Sequence, residues 1–371
     1  MSTSPRPVAA PPRQPSAAGR RLITLWPLLI VGLLILLPHL IGWLSGDSPF
    51  GVNGRPVGQS IYWQGVLIET LILAILAMSY NLLFGFTGIV SFGFALFFGC
   101  GGYALGLCLT QFGLNGTAGL LIGIGGGLLI CALLGLLIGL VSLRISGVYF
   151  TMFTLAVAEM ASIFFSRWPV TGGEDGFPIS VPDWLNPTGH RLFYYYLVLF
   201  LFAATFWWVR RLIHAPFGAV LLAIRENEAR AQAIGYRTLT FKLLAMMAAG
   251  ALAGLAGILQ VIYNKKVDPG SLGLDYTINP LLMTIIGGMG TFSGPVIGAV
   301  VLHLSDRLFR NAVLTVGQTV IAIGSQWSLI LGLGFIAAVL LFPQGIVGTW
   351  QRWRDRRSAA ESTDRARSAQ P

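Results

Sequence analysis

The chain has 371 residues, 55% of them hydrophobic and 10% charged, with a formal net charge of +10. Soluble globular chains carry roughly 25% charged residues, so this composition cannot supply the surface of a water-soluble body of this size. The positive balance is no nucleic-acid signature either, because the basic residues fall between apolar blocks of about 20 residues, the length that crosses a bilayer core.

Residues 1–21 are rich in Pro, Ala, Ser and Arg and cannot form a core, so they read as a disordered cytoplasmic tail. The apolar run Leu22–Leu44 follows Arg20 and Arg21. It is too long for the apolar part of a cleaved signal, about 7–15 residues, and reads as a retained first span. Further spans are Gly65–Leu83, Ser91–Thr110, Thr117–Leu143, Val148–Phe165, Leu192–Leu212 and, after a polar stretch over 214–240, Phe241–Tyr263. The apolar pieces Ile278–Ile286 and Pro295–Leu304 are too short to cross and flank the bend Gly287-Gly288-Met289-Gly290. They read as half-helices or a re-entrant hairpin, tolerable only where protein or water shelters the bend. A last span, Trp327–Phe342, leads into a basic tail over 346–371.

The expected fold is therefore an all-α polytopic membrane protein with about 10 membrane segments over residues 22–345, a half-helix pair included. Of the 24 basic residues, 17 fall on one set of loops and tails, from Arg6 to Lys242 and Arg352 to Arg367. The other seven are Arg55, Arg167, Arg191, Lys265, Lys266, Arg307 and Arg310. The positive-inside rule then puts both termini in the cytoplasm. The stretches Gly85–Ser91 and Gly287–Ser293 share the pattern Gly-x-x-Gly-x-x-Ser at matching points of the up-and-down order. A parallel internal repeat relating 22–143 to 241–343 is expected, with the pathway at the repeat interface.

No catalytic pattern is present. His39, His190, His214 and His303 lack metal-ligand spacing, and no lysine follows a glycine as a phosphate loop requires. No metal or cofactor is expected. Cys100, Cys108 and Cys131 lie in apolar blocks and read as packing residues. Gly119, Gly123 and Gly127, then Gly135 and Gly139, recur every four residues, a row that brings helix backbones close. Glu159 lies deep in its span, either as a functional group or as a protonated acid bonded to a neighbouring helix. Glu69, nearer the surface, reads as hydrated. The outer loop Thr171–Gly176 sets Glu174 and Asp175 between glycines. On the inner side, Pro216 and Gly235 bracket an expected amphipathic helix over Pro216–Ile234. Its apolar face carries Val220, Ile224, Ala231 and Ile234, its polar face Arg225, Glu228 and Gln232, with Glu226 and Arg230 as an i,i+4 pair. Small apolar residues on that face favour docking into a partner over lying on lipid.

Several of these stretches resemble the larger permease subunit of branched-chain amino-acid ABC importers, the LivM-like family. The resemblance runs over most of 65–345 and rests on Tyr80–Gly93, Leu143–Ala156, Thr171–Phe177, Ala223–Gly235 and Leu281–Pro295. Where related sequences often carry a His after the Ser-x-Gly pair, this one has Phe94, and both tails fall outside the resemblance. The resemblance implies a permease without ATPase activity of its own, in a bacterial inner membrane. Its expected partners are a second permease, two ATP-binding subunits and an extracytoplasmic binding protein. It implies a pathway near Asn81, Gly88, Ser91, Tyr149, Thr154, Glu159, Gly290 and Ser293. It implies binding-protein docking at Gly172, Gly173, Glu174 and Asp175, and ATPase coupling through Arg225, Glu226, Glu228 and Gly235. The implied cargo is a branched-chain or other small hydrophobic amino acid. A sister branch carries urea and short amides, and an ion-coupled carrier or a channel are the remaining classes.

Overall fold

A computed structural model describes residues 32–44, 46, 58–111, 116–142, 145, 147–310, 313–316, 319–322, 327–342, 344–350 and 352–354. The expected N-terminal tail, the start of the first span and the end of the C-terminal tail lie outside these residues. The described chain is helical: α1 (Gly32–Leu44), α2 (Gln59–Thr87), α3 (Phe94–Thr110), α4 (Gly116–Ser142), α5 (Val148–Arg167), α6 (Arg191–His214), α7 (Pro216–Glu226), α8 (Glu228–Ala233), α9 (Thr238–Asn264), α10 (Asp275–Gly287), α11 (Gly294–Arg310) and α12 (Trp327–Leu341). Among the described residues α2, α4, α5, α6 and α9 are long and apolar enough to cross a membrane. Two short antiparallel pairs interrupt the helical pattern, β1 (Phe177–Pro178) with β2 (Lys266–Val267), and β3 (Val313–Val316) with β4 (Thr319–Ala322).

α2 is the axial helix. It is apolar on every side and almost wholly buried from Ser60 to Thr87, as expected of a helix enclosed by others. α9, α6, α10 and α11 pack around it. α3, α4 and α9 form a second tight group whose contacts are made by small residues. A side chain on Gly101 would strike the backbone of Gly254, and one on Gly135 would lie 2.8 Å from the Met246 carbonyl. Gly123 rests on Leu105 and Cys108, and Gly127 on Ile258. Helices in lipid gain little from apolar burial against one another, so close backbone approach supplies the dispersion contacts instead. The glycine rows therefore pack, as the spacing predicts. Cys131, whose Sγ lies 3.2 Å from the Phe97 carbonyl, fills the same seam.

Three boundaries move. α2 extends to Thr87 because Gly88 takes the left-handed conformation (φ 75°) that ends it. α3 starts at Phe94, and 88–93 is not helical. Tyr80 and Phe94 meet ring to ring at 4.8 Å, so α3 begins beside α2 seven residues before its end, about 10 Å along the axis. The expected helix over Pro216–Ile234 is two helices. α7 ends at Glu226, and extended Asn227 caps α8 by accepting a hydrogen bond from the Arg230 amide at 2.9 Å. Glu226 and Arg230 fall on opposite sides of that break, so they are no i,i+4 pair. Val220, Ile224 and Ala231 are buried in this chain's own core with Phe241 of α9, so that face is taken up internally and not offered to a partner as expected, whereas Ile234 is exposed. The short apolar pieces within 278–304 lie in α10 and α11, of 13 and 17 residues, which form a tight hairpin in which Gly287 meets Gly294 and Gly298 meets the Met283 carbonyl.

Candidate functional site

Two non-helical bends, 88–93 and 288–293, meet at one end of the molecule. Asn81, buried on α2, pins the second of them to that helix: its Nδ2 donates to the Thr291 carbonyl at 3.0 Å, and its Oδ1 accepts from the Gly290 amide at 3.0 Å. One carboxamide thus satisfies two backbone groups that the unwound segment exposes.

The first bend leans on α5. The Phe92 amide donates to Thr154 Oγ1 at 3.1 Å, and Thr151 Oγ1 donates to the Val90 carbonyl at 3.2 Å. Ser91 is buried and accepts from the Gly93 amide at 3.2 Å. The second bend closes on itself. Thr291 Oγ1 donates to the Gly288 carbonyl at 2.7 Å and accepts from the Gly294 amide at 3.1 Å. Gly288 (φ 118°) and Gly290 (φ 73°) occupy conformations open mainly to glycine. Residues beyond α12 cover this bend: a side chain on Gly288 would lie 3.0 Å from the Gln344 carbonyl.

The polar segment 215–237 sits beneath both bends. Ala215 is extended before Pro216, as the proline ring demands, and this breaks the chain between α6 and α7. Phe217 and Phe241 pack at 5.6 Å and help hold α7 to α9. Arg225 points into the protein. Its Nη1 donates to the Gly85 carbonyl, a side chain on Gly290 would strike the same guanidinium, and one on Gly88 would lie 3.2 Å from its Cγ. Glu228 is paired with Lys242 of α9 at 2.6 Å, and Gly235 is left-handed (φ 95°) as expected.

Of the expected pathway residues, Asn81, Gly88, Ser91, Thr154 and Gly290 converge here, with Ser293 closing the second bend. Tyr149 and Glu159 do not. Tyr149 is 78% exposed on the first turn of α5, and Glu159 is exposed on the same helix. At the far end of the molecule, Glu174 and Asp175 are exposed on a 3-10 turn, in a loop tied to β2 through β1.

That end also holds a charged group which the sequence reading passed over. Glu69 is not simply hydrated. Its Oε2 is paired with Arg307 and lies 3.2 Å from His303 Nε2, whose Nδ1 is 2.8 Å from Thr70 Oγ1. Arg191 donates to the Tyr263 hydroxyl at 2.7 Å across the backbone of Gly65. The available signal was His303 and Arg307 four residues apart, on one face of an amphipathic helix. Among the described residues no group of His, Cys, Asp and Glu could hold a metal ion.

The family described as "Branched-chain amino acid transport system / permease component" matches residues 62–342. The chain is 28% identical to the high-affinity branched-chain amino acid transport system permease protein LivM of Salmonella typhimurium, over 65% of this chain and 62% of that protein. It is 27% identical to LivM of Escherichia coli, over 76% of this chain and 68% of that one. The probable LivM of Methanocaldococcus jannaschii is 27% identical, over 60% of this chain and 74% of its own length. The matched region thus spans between about three fifths and three quarters of these relatives. No solved structure matches. With the family's match covering 62–342, almost the whole helical body, the chain belongs to the permease components of branched-chain amino-acid transport systems.

Proposed function

We propose that this chain is the membrane subunit of a binding-protein-dependent ABC importer, carrying branched-chain or other small hydrophobic amino acids across the bacterial inner membrane. The observation that carries the reading is Arg225. It lies on the segment expected to face the ATPases, yet its guanidinium reaches the Gly85 carbonyl and packs over Gly88 and Gly290. A push on α7 and α8 is therefore delivered directly to both unwound bends. Coupling of this kind is a shift between two conformations and needs no chemistry on this chain.

The charge asymmetry supports placing 215–237 and both termini in the cytoplasm, with Glu174, Asp175 and the Glu69 group outside. With α1, α3, α10, α11 and α12 counted beside the five long helices, about ten membrane segments result. The matching bends α2–α3 and α10–α11 are the two copies of the repeat. In this scheme ATP is hydrolysed by two partner subunits at α7–α8, and a binding protein delivers its amino acid to the outer loop. A second permease covers the flank formed by α4 and α5. Leu121, Leu129, Leu137 and Met160 are exposed there, and Glu159 stands among them in a span where lipid alone would leave its charge unpaired. That position, away from both bends, also argues against ion coupling through Glu159. The printed names of the relatives favour amino acids over urea or amides.

The test is Arg225→Ala in the reconstituted complex. Uptake of L-leucine should fall by at least about tenfold, a change of roughly 1.4 kcal/mol, while the ATPases still co-purify and still hydrolyse ATP. Unchanged uptake would remove the coupling role, and absence of ATP-driven uptake by the unmutated complex would remove the importer reading.

A further inference from the structure

The charged group at the outer end lines a cavity of about 360 Å3 between the first turns of α2 and the ends of α6, α9 and α11. That volume lies within the range of small-molecule sites, about 300–1,000 Å3. Its walls combine three chemistries. Arg191 and Arg307 supply positive charge, Glu69 supplies a carboxylate, and Ile61 and Val66 supply apolar surface.

The charges are unequally satisfied. Arg307 is paired with Glu69. Arg191 has no acidic partner among the described residues: its Nη2 bonds the neutral Tyr263 hydroxyl, and its buried Nε has no hydrogen-bond partner. Its guanidinium carbon stands 5.7 Å from the centre of the Tyr263 ring. The group lies against the backbone of Gly65, where an added Cβ would crowd Arg191 Nη2 and lie 2.7 Å from the Tyr263 hydroxyl. A partly buried guanidinium without a counter-charge costs desolvation energy that an incoming anion restores, and its planar fork matches a carboxylate. On Glu69, both contacts fall on Oε2, so Oε1 can accept from an ammonium group.

We propose that this cavity binds a free zwitterionic amino acid, its carboxylate on Arg191, its ammonium on Glu69 and its aliphatic side chain against Ile61 and Val66. The inference rests on the importer reading for its outward placement, and makes the cavity a waiting site for cargo released by the binding protein. The same arginine could instead meet an acidic side chain of the docking protein, and the test separates the two.

The complete complex in nanodiscs, without binding protein, is titrated with radiolabelled L-leucine. Saturable binding is expected. Leucinamide, which lacks the carboxylate, and 4-methyl-2-oxopentanoate, which lacks the ammonium, should each compete at least about tenfold less well, as expected when a charged group is left unpaired. Arg191→Gln should weaken leucine binding by a similar factor and Arg191→Lys by less, with subunit assembly unchanged in at least the Lys variant. No saturable binding, equal competition by leucinamide, or unchanged affinity in Arg191→Gln would overturn the site. If Arg191→Gln loosens the binding protein while leucine affinity is unchanged, the carboxylate belongs to that protein and the proposal fails. ATP-driven uptake by the unmutated complex is measured alongside. Its absence would strike the importer reading itself, whereas its presence with no leucine binding would strike only the cavity.

Discussion

The two bends share a pattern of letters and differ in what holds them. The bend over 88–93 makes two hydrogen bonds with threonines of α5, donating to Thr154 and accepting from Thr151, and that helix is largely exposed along its length. The bend over 288–293 is closed by its own Thr291 and covered by residues beyond α12. The first bend can therefore follow α5, while the second moves with the α10–α11 hairpin as a unit. Arg225 lies against both, and Asn81 pins the second to α2. Equivalent sequence motifs thus receive different mechanical neighbours, and that asymmetry suits a subunit with one flank against a partner and one axial core.

The largest break in this comparison should come from the glycines. Gly290→Ala puts a side chain at φ 73° and into the Arg225 guanidinium. A left-handed residue costs about 1–2 kcal/mol by itself, so uptake should fall by at least about tenfold with the protein still in the membrane. Gly88→Ala carries the same backbone cost, but its Cβ would approach nothing closer than Arg225 Cγ at 3.2 Å, whereas the Gly290 Cβ would also lie 3.0 Å from the rigid Gly85 carbonyl. The loss of uptake in Gly88→Ala should be clearly smaller. Equal losses would mean that backbone strain alone matters and that Arg225 does not discriminate between the bends.

A smaller effect should separate the two supports. Thr154→Val strips the Phe92 amide of its acceptor, and Thr291→Val does the same to the Gly294 amide. Leaving one buried amide unpaired costs about 1–3 kcal/mol. Hydrogen exchange should therefore rise over 88–93 in the first variant and over 288–293 in the second. Loosening of both bends in either variant would show that they open as one unit.

The smallest effect belongs to the partly exposed ion pair beside them. Glu228 and Lys242 lie 2.6 Å apart, with the Glu228 side chain 42% and the Lys242 side chain 13% exposed. Such pairs contribute about 0.2–1 kcal/mol. A cycle of Glu228→Gln and Lys242→Met in thermal unfolding should give a coupling below about 1 kcal/mol. Reduced co-purification of the ATPases in Glu228→Gln alone would instead show that the carboxylate serves the partner.

Much of this site is legible in the residues themselves. Runs of apolar residues set the helices, and short runs on either side of Gly287–Gly290 announce the α10–α11 hairpin. A glycine after an amphipathic stretch announces the left-handed turn at Gly235. The break at Asn227 was also written there, since Asn is a strong helix cap. It was masked by helix-forming neighbours that support one continuous helix equally well. Glu69 was harder. Its partners, His303 and Arg307, are over 230 residues away, and no local spacing distinguishes a paired surface acid from a hydrated one.

The sequence alone determined that this chain lives in a bilayer, where its glycine bends fall and which loops carry its charge. These follow from local chemistry: transfer of apolar surface out of water, the conformational freedom of glycine, and the cost of moving arginine across a membrane. The tertiary structure decided which of those pieces touch. It turned Arg225 inward onto Gly85, left Glu159 on an open flank, and set Arg191 unpaired beside Glu69. Direction and pairing depend on how helices rotate against one another, and that rotation is set by close contacts such as Gly101 on Gly254, whose free energy belongs to the pair and to neither residue alone.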